Sequence, residues 1–363
     1  MPWYEVFGFE ADPYMKVDPY TIPDKRIIWN RDDLIRVKKT ITDFIEDVKA
    51  GYRCALKIYG DWGSGKTWLI RYLEKRIREK VEDVIVIRTY IPKIEPTFSV
   101  LYKKFVENVM HSNLLSKIME ALEREGGPTP DGWKKAVGDD DLGQALWNIH
   151  HGQDEMLSRR WLLGAKISMR DLSSAGIISR IEGDYRRYEI MEKIIKFARE
   201  ISSMTVLIID ELENVSPRLA PSLSDALRDL LDAFYDGFAL ICSYTAASED
   251  EWYDLGYTDA LYRRIDYTIA MEPLDITYAP DFLRLHQEVY RQPGFKVEDQ
   301  LYPFTEDGVK AILTVMDPNR RLPGFILPNC GRIAKEAARQ GIDRIDRSFV
   351  EKHVELLEEL AST

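Results

Sequence analysis

The sequence predicts an α/β protein in which a parallel β-sheet carries helices on both faces and a small helical domain follows the sheet. Three observations support this prediction. Short apolar runs near residues 55–59, 84–88, 205–209, 238–245 and 267–271 alternate with segments of helical periodicity. A glycine-rich loop joins the first run directly to a helix, and no strand pattern follows residue 273. Strands that alternate with helices build parallel sheets with both faces covered.

The first strand leads into the loop Gly60-Asp61-Trp62-Gly63-Ser64-Gly65-Lys66-Thr67. A strand, a loop of this spacing and a helix form the setting of a phosphate-binding P-loop. The glycines allow backbone N–H groups to point at phosphate oxygens, and the helix N-terminus adds partial positive charge. Lys66 can then reach the β- and γ-phosphates, and Thr67 can place its hydroxyl on Mg²⁺.

A second pattern carries acidic side chains. The apolar run 205–209 is followed at once by Asp210 and Glu211. Open α/β sheets bind ligands at the carboxyl ends of their strands. We therefore expect Asp210 to hold the metal ion and Glu211 to act as the base for a hydrolytic water.

Together these motifs resemble the AAA+ ATPases, over about residues 25–360. The resemblance implies a parallel αβα P-loop (AAA+) sheet with a C-terminal helical lid domain, with ATP and Mg²⁺ bound. It also implies a polar "sensor 1" at the end of strand 238–245, where we assign Thr245 with Ser243 as the alternative. The family's arginine finger, supplied to a neighbouring subunit, falls on Arg264, with Arg263 left open. Arg332 matches the family's "sensor 2" arginine.

The order of elements is most similar to the origin-recognition and STAND-related branch of that family. Because the sequence stops after the lid, we expect no C-terminal winged helix and no sequence-specific origin binding. Residues 159–213 also look similar to small P-loop ATPases of BREX-type defence systems. We predict an extended arm over residues 1–30, a nucleotide-binding domain over 31–275 with a helical insertion at about 97–183, and a helical lid over 276–363.

The arm contains Pro, Asp, Tyr and Phe without periodicity. It is expected either to pack on the main domain or to act as a strap that covers a nucleotide base or docks on a neighbouring subunit.

Composition restricts the remaining choices. The 363-residue chain has a formal net charge of −11, so it is not a general nucleic-acid binder, although a local basic surface is compatible with that charge. No apolar run is long enough for a bilayer and no signal peptide is visible, so we expect a cytoplasmic protein without membrane partners.

The cysteines and histidines carry no metal pattern. Cys54, Cys242 and Cys330 are far apart and are expected to be reduced, buried thiols. Only His150 and His151 adjoin, and adjacent residues face different ways on a helix or strand, so we expect no shared metal site.

The insertion is locally basic. Trp161 and Tyr185 lie among basic residues that outnumber the nearby acids. These basic residues are Arg159, Arg160, Lys166, Arg170, Arg180, Arg186 and Arg187. Such a surface either holds DNA phosphates and stacks on bases, or is a solvated helical face that contacts the next subunit.

Three functions fit these patterns. The first is an ATP hydrolase that forms a ring or open spiral and acts on double-stranded DNA through the basic insertion. The second is a STAND-like nucleotide switch with slow hydrolysis that recruits a separate protein partner. The third is a small-molecule kinase, which the sensor-like and finger-like positions disfavour.

Overall fold

The computed structural model describes residues 1–15, 21, 23–93 and 98–358. The chain divides into two compact units, which we name by their contents. The P-loop unit comprises Met1–Asp43, Ile58–Arg76 and Ile269–Thr363, and the insertion unit comprises Phe44–Lys57 and Ile77–Thr268. The strands are β1 (Cys54–Gly60), β2 (Val84–Tyr90), β3 (Met204–Asp210), β4 (Phe238–Thr245) and β5 (Tyr267–Ala270).

Seventeen α-helices complete the described chain. They are α1 (Ile35–Lys49), α2 (Lys66–Lys80), α3 (Phe98–His111), α4 (Leu114–Gly126), α5 (Pro130–Val137), α6 (Asp140–His151), α7 (Glu155–Leu162), α8 (Met169–Ser174), α9 (Gly183–Glu200), α10 (Ala220–Ala233), α11 (Glu251–Asp254), α12 (Asp259–Tyr262), α13 (Ala279–Glu288), α14 (Glu306–Val315), α15 (Pro323–Gln340), α16 (Arg347–Lys352) and α17 (Glu355–Glu358).

The sheet has the strand order β2-β3-β4-β1-β5. Strands β2, β3 and β4 are paired in parallel, with Val84 opposite Met204 and Thr205 opposite Phe238. Every residue of β3 is buried, as expected for a strand with both faces covered. The parallel α/β sheet that the alternating pattern predicts is thus confirmed.

Strand β5 runs parallel to β1. The N–H of Asp266 donates to the carbonyl of Ala55 (2.9 Å), and the N–H of Met271 donates to the carbonyl of Tyr59 (2.8 Å). The residue numbers of the bonded positions increase in the same direction along both strands, as they do in a parallel pair.

The insertion folds as a packed helical body with its own core. Trp133 and Trp161 are fully buried, and the Trp161 indole donates to the Ser179 carbonyl (2.7 Å). Arg186 of α9 forms a two-pronged ion pair with Asp139, which also caps α6. Helices α3 to α8 fill the region in which the sequence predicted an insertion, and α3 and α4 are separated at Ser112–Asn113.

The N-terminal arm packs into the helical core of the P-loop unit. Phe7, Phe9 and Tyr14 are buried in the same hydrophobic cluster as residues of α13, α14 and α15. Burying side chains of this size contributes roughly 1.5–3 kcal/mol each. The backbone joins this packing, because Gln292 donates to the Gly8 carbonyl (2.9 Å). The arm begins with a 3₁₀ turn over Trp3–Phe7, so its start is not extended, and residues 16–20 and 22 lie outside the described chain.

Helix α15 begins at Pro323, nine residues before the predicted sensor 2 residue Arg332. Pro323 occupies its first turn, where a missing N–H costs nothing, and Pro328 lies inside it. The two prolines and Gly324 would ordinarily interrupt a helix, but tertiary packing maintains this one.

The cysteines are confirmed as free and buried, and burial raises the pKa of Cys242 and of Cys330 to about 12.

Among the helices of the described residues, none has both the length and the apolar character needed to cross a bilayer.

Candidate functional site

The loop between β1 and α2 has the geometry that its glycines predict. Gly63 has a φ of +85°, and Gly60 has a φ of +154°. A Cβ atom on Gly60 would lie 2.7 Å from the Met271 carbonyl oxygen, so only glycine fits there. Helix α2 begins at Lys66, which places its free N–H groups and its partial positive charge under the loop.

Two polar side chains of this loop are buried. The Lys66 ammonium donates to the carbonyls of Gly60 (2.7 Å) and Asp61 (3.1 Å). The Ser64 hydroxyl is buried and has no hydrogen-bond partner among the described residues. An unsatisfied buried hydroxyl costs about 1–3 kcal/mol, so it indicates a ligand oxygen that the loop is built to bind. Asp61 and Trp62 are exposed, and Thr67 is partly exposed.

Helix α15 contacts the loop through its first turn. The N–H of Gly324 donates to the Gly63 carbonyl (2.8 Å), and the Phe325 ring packs edge-on against Trp62 at 5.5 Å between centroids. Arg332, further along α15, donates to the Leu356 carbonyl (3.1 Å). The lid helix that carries the predicted sensor 2 therefore touches the P-loop through its N-terminus.

A cleft of about 490 Å³, partly open to solvent, adjoins Ser64 and Gly65. Its walls are largely aromatic and aliphatic and come from the arm, from α2 and from the lid helices: Arg26, Ile28, Trp29, Asn30, Arg31, Trp68, Leu69, Met271, Phe282, His286, Pro323 and Leu327. Sequence reasoning missed these residues, apart from the general suggestion that the arm covers a base. They come from five separated stretches of the chain, and no local spacing unites them.

The polar groups of this cleft are mostly fixed. Arg31 forms a two-pronged ion pair with Asp33 (2.9 and 3.0 Å). Burial lowers the pKa of His286 to about 4, so its ring is neutral, and Nε2 donates to the Pro13 carbonyl (2.7 Å). The Trp29 indole N–H, Arg26 Nε and Arg31 Nη1 are buried without hydrogen-bond partners among the described residues, which leaves donors for a ligand.

The acidic pair at the end of β3 belongs to the insertion unit. Asp210 is buried and accepts hydrogen bonds from the Ser243 hydroxyl and from the Glu211 N–H (2.9 Å). Glu211 has a φ of +63°, an uncommon conformation for a residue with a side chain. Its carboxylate accepts from the Asn214 amide (3.2 Å). Strained residues of this kind concentrate at functional sites.

The two sensor 1 candidates have different partners. The Ser243 hydroxyl donates to the Asp210 carboxylate, whereas the Thr245 hydroxyl donates to the Glu213 carboxylate (2.5 Å). Ser243 is fully buried and Thr245 is partly exposed. The assignment of Thr245 stays a prediction, with Ser243 in direct contact with the acid predicted to hold the metal.

The predicted finger residues lie just after α12. The Arg264 guanidinium makes two hydrogen bonds of 2.7 Å to Asp232, which lowers the pKa of that carboxyl. Arg263 makes one ion pair with Asp259 (2.7 Å), and 75% of its side chain is exposed. Arg263 thus offers the more accessible cation, and the choice between the two stays open.

A buried lysine anchors the segment that carries these arginines. Lys57 of β1 is 1% exposed, and its ammonium lies 2.6 Å from the Glu249 carboxylate. The same ammonium lies 3.6 Å from the ring centre of Tyr262, whose hydroxyl donates to Glu249 (2.7 Å). Tyr262 directly precedes Arg263. Sequence reasoning missed this cluster, because a lone lysine in a strand carries no signal of its partners.

The loop, with its buried lysine and orphan hydroxyl between a parallel strand and a helix, defines a P-loop nucleotide-binding protein. The sequence matches the AAA ATPase domain over residues 31–238, more than half of the chain, and the protein belongs to that family. The predicted family is thus confirmed.

Solved structures agree on the fold. Cdc6p from Pyrobaculum aerophilum shares 16% identity with this chain, with a TM-score of 0.51, and the match covers 98% of this chain and 74% of that one. The ORC2 protein of Aeropyrum pernix, solved as ADPNP–ADP complexes, shares 13% identity with a TM-score of 0.50, covering 90% and 67%. At these identities the likeness concerns the fold alone. No curated protein matches the sequence.

Proposed function

We propose that the protein binds and hydrolyses ATP, and that it works as a ring or spiral of identical subunits in which an arginine of one copy completes the nucleotide site of the next. The observation that supports this most directly is the P-loop. The Lys66 ammonium is held by the carbonyls of Gly60 and Asp61, and the Ser64 hydroxyl has no hydrogen-bond partner among the described residues. These are the groups that a triphosphate would engage.

The phosphate cradle fits the ligand on physical grounds. Lys66 leaves its two carbonyl partners for the β- and γ-phosphates, and Ser64 donates to a phosphate oxygen. Thr67 and Asp210 supply oxygen atoms, the donor type that Mg²⁺ prefers. A metal held there would supply positive charge to offset that of the phosphates, and Glu211 would orient and deprotonate the attacking water.

The cleft beside Ser64 suits the adenine and ribose. Its walls are mostly apolar, as they are in most small-molecule sites. The Trp29 N–H, unpaired among the described residues, can donate to a ring nitrogen of the base. A Trp29→Phe variant keeps an aromatic ring and removes the donor, so ATP affinity should fall about five- to tenfold by titration calorimetry. Equal affinity would remove Trp29 from the base site.

Hydrolysis is assigned to the acids and to the arginine. Lys66→Ala should abolish nucleotide binding, whereas Glu211→Gln should bind ATP normally and lose turnover. The arginine finger predicts that turnover per subunit rises with protein concentration, because a solitary copy lacks the guanidinium. The measurement is steady-state ATPase activity against subunit concentration, with mass by light scattering at each point. A rate per subunit that stays constant while the protein remains monomeric at saturating ATP contradicts self-association.

Action on DNA is proposed through the insertion. Arg160, Lys166 and Arg170 are exposed, and the described residues place no carboxylate in ion-pair contact with them. Arg186 is committed to Asp139, and Trp161 is buried and therefore unable to stack on a base. The stacking part of the hypothesis thus rests on Tyr185, which is 75% exposed.

The DNA test uses charge reversal. Changing Arg160, Lys166 and Arg170 together to Glu should weaken binding to a duplex of arbitrary sequence. The slope of log affinity against log salt should also fall, by about one for each DNA phosphate that these side chains neutralise. Arg186→Glu is unsuitable here because it breaks the Asp139 ion pair. An unchanged slope would exclude this surface from the DNA interface.

A nucleotide switch with slow hydrolysis is the second candidate. The observation that favours it is the Arg264–Asp232 ion pair, which holds the preferred finger on its own chain. In a switch, ATP and ADP would change the exchange of backbone amides in regions far from the cleft, and turnover would be insensitive to DNA and to subunit concentration. A separate protein partner bound only by ATP-loaded Glu211→Gln would support this candidate.

A further inference from the structure

The insertion brings together three metal-ligating side chains, none of which is among the residues predicted to bind nucleotide. Glu123 projects from α4, and His150 and His151 end α6. His150 Nε2 lies 3.8 Å and His151 Nε2 lies 4.0 Å from the same Glu123 oxygen. One ligand atom from each of the three residues lies within 4.8 Å of the other two. The sequence expectation that adjacent histidines do not share a site is therefore wrong about their geometry.

The convergence has a simple cause. Adjacent helical residues diverge by about 100° at their Cβ atoms, so two neighbouring side chains straddle a point between them. Glu123 occupies that point from the neighbouring helix. The imidazoles reach it from either side because both belong to the last turn of α6, which ends at His151 and is followed by Gly152 in a left-handed conformation.

The surroundings of His151 orient it as a ligand. Its Nδ1 lies 3.1 Å from the Trp147 carbonyl, so Nδ1 carries the proton and Nε2 keeps its lone pair on the side of Glu123. Metal-binding histidines usually have such a backbone partner on the other ring nitrogen. The His151 ring also stacks on Trp147, with the centroids 3.6 Å apart, which fixes the plane of the ring.

Glu123 provides a second, independent observation. Its Oε2 atom is buried, although the side chain as a whole is partly exposed, and it has no hydrogen-bond partner among the described residues. A buried carboxylate oxygen without a donor is costly. The two imidazole nitrogens do not satisfy it, because they lie beyond hydrogen-bond distance. A cation between the three groups would satisfy the oxygen and both lone pairs at once.

We propose that Glu123, His150 and His151 bind a divalent transition-metal ion, of which Zn²⁺ fits best. Two imidazoles and one carboxylate are a zinc-type ligand set, with metal–ligand bonds of about 2.0–2.2 Å. Tetrahedral bonds of that length separate the donor atoms by roughly 3.3 Å. The side chains must close by roughly 0.5–1.5 Å from the observed separations, which partly exposed rotamers allow.

The ion would join α4 to the end of α6, over the aromatic pair Trp133 and Trp147. Three protein ligands leave a fourth position for water or for a group from another molecule. Its ligands differ from the proposed Mg²⁺ ligands, which are oxygen atoms only.

The test is calorimetric titration of ZnCl₂ into metal-stripped, full-length protein without nucleotide, with thermal unfolding followed in parallel. One Zn²⁺ should bind per subunit with micromolar or tighter affinity and raise the unfolding temperature. Glu123→Gln and His150→Asn should each weaken binding at least tenfold, and His111→Ala, which changes a histidine of α3 outside the cluster, should leave it unchanged. Co²⁺ bound to the wild type should give the intense visible bands of four-coordination.

The controls separate a metal site from an aromatic–histidine cluster that is merely structural. Both variants must match the wild type in circular dichroism without zinc, so that weaker binding is not a consequence of misfolding. Binding weaker than about 100 μM, a stoichiometry other than one, or equal binding by Glu123→Gln and His150→Asn would overturn the proposal. Tight binding that only His111→Ala removes would also overturn it.

Discussion

The ion pair between Lys57 and Glu249 makes an asymmetric prediction about stability. Lys57 is 1% exposed, whereas 37% of the Glu249 side chain is exposed. Glu249→Gln leaves a buried ammonium without its carboxylate, and breaking a buried pair in this way costs about 3–5 kcal/mol. Lys57→Met instead leaves a carboxylate that water and the Tyr262 hydroxyl can still solvate. That change should cost only about 1 kcal/mol.

The dependence on pH gives a second test of the same pair. The Lys57 ammonium lowers the pKa of Glu249, so the stability from the pair is present above the unfolded-state pKa of Glu249 and is lost as pH falls through the folded-state value. Burial lowers the pKa of Lys57 in spite of Glu249. In Glu249→Gln, Lys57 therefore loses its proton more readily, and the free energy of unfolding should recover as pH rises toward the ordinary lysine pKa.

The assay is urea unfolding at pH 5, 7 and 9.5, monitored by tryptophan fluorescence. With an m value of about 3 kcal/mol/M, Glu249→Gln should lower the midpoint by about 1 M at pH 7, and Lys57→Met by about a third of that. The double variant should resemble Lys57→Met. Glu46→Gln, which breaks the exposed pair with Lys80, is the control and should change the midpoint little. If Lys57→Met proves the more damaging change, or the deficit of Glu249→Gln does not shrink at pH 9.5, the reasoning from burial is refuted.

Two further predictions concern the nucleotide chemistry. Gly324→Ala places a Cβ atom 2.7 Å from Gly63 Cα. Overpacking of about 1–3 kcal/mol should weaken ATP binding about five- to 150-fold by calorimetry. The control Gly341→Ala meets no neighbouring atom and, although its φ of +68° strains the backbone, should bind ATP normally. Asp232→Asn removes the carboxylate that holds Arg264. If Arg264 is the arginine finger, ATPase activity at limiting protein concentration should rise by up to about fivefold. An unchanged rate would favour Arg263 as the finger.

The strand-loop-helix unit could be predicted because its signals are local. Glycine spacing, an apolar strand and a following helix all lie within about twenty residues, and each is imposed by backbone geometry. The acids at the end of β3 could be predicted for the same reason. The helical insertion could be predicted as a region, but its helix boundaries could not, because short helices are set by tertiary packing rather than by propensity.

The partners of charged side chains could not be predicted. Nothing near Arg264 in the sequence indicates Asp232, and nothing near Lys57 indicates Glu249, because both partners are tens to hundreds of residues away. The same limit applies to the burial of Trp161. Its basic neighbours suggested a surface position, whereas the fold of α7 places it in the core.

The sequence by itself determined the class of fold and the AAA family, because a parallel sheet and a P-loop depend on residue types at short, fixed spacings. Only the tertiary structure decided which side chains meet: the arm in the lid core, the lid helix on the P-loop, and Glu123 with two histidines. Those contacts depend on how separate helices pack, and packing is a property of the whole buried volume rather than of any one stretch of chain.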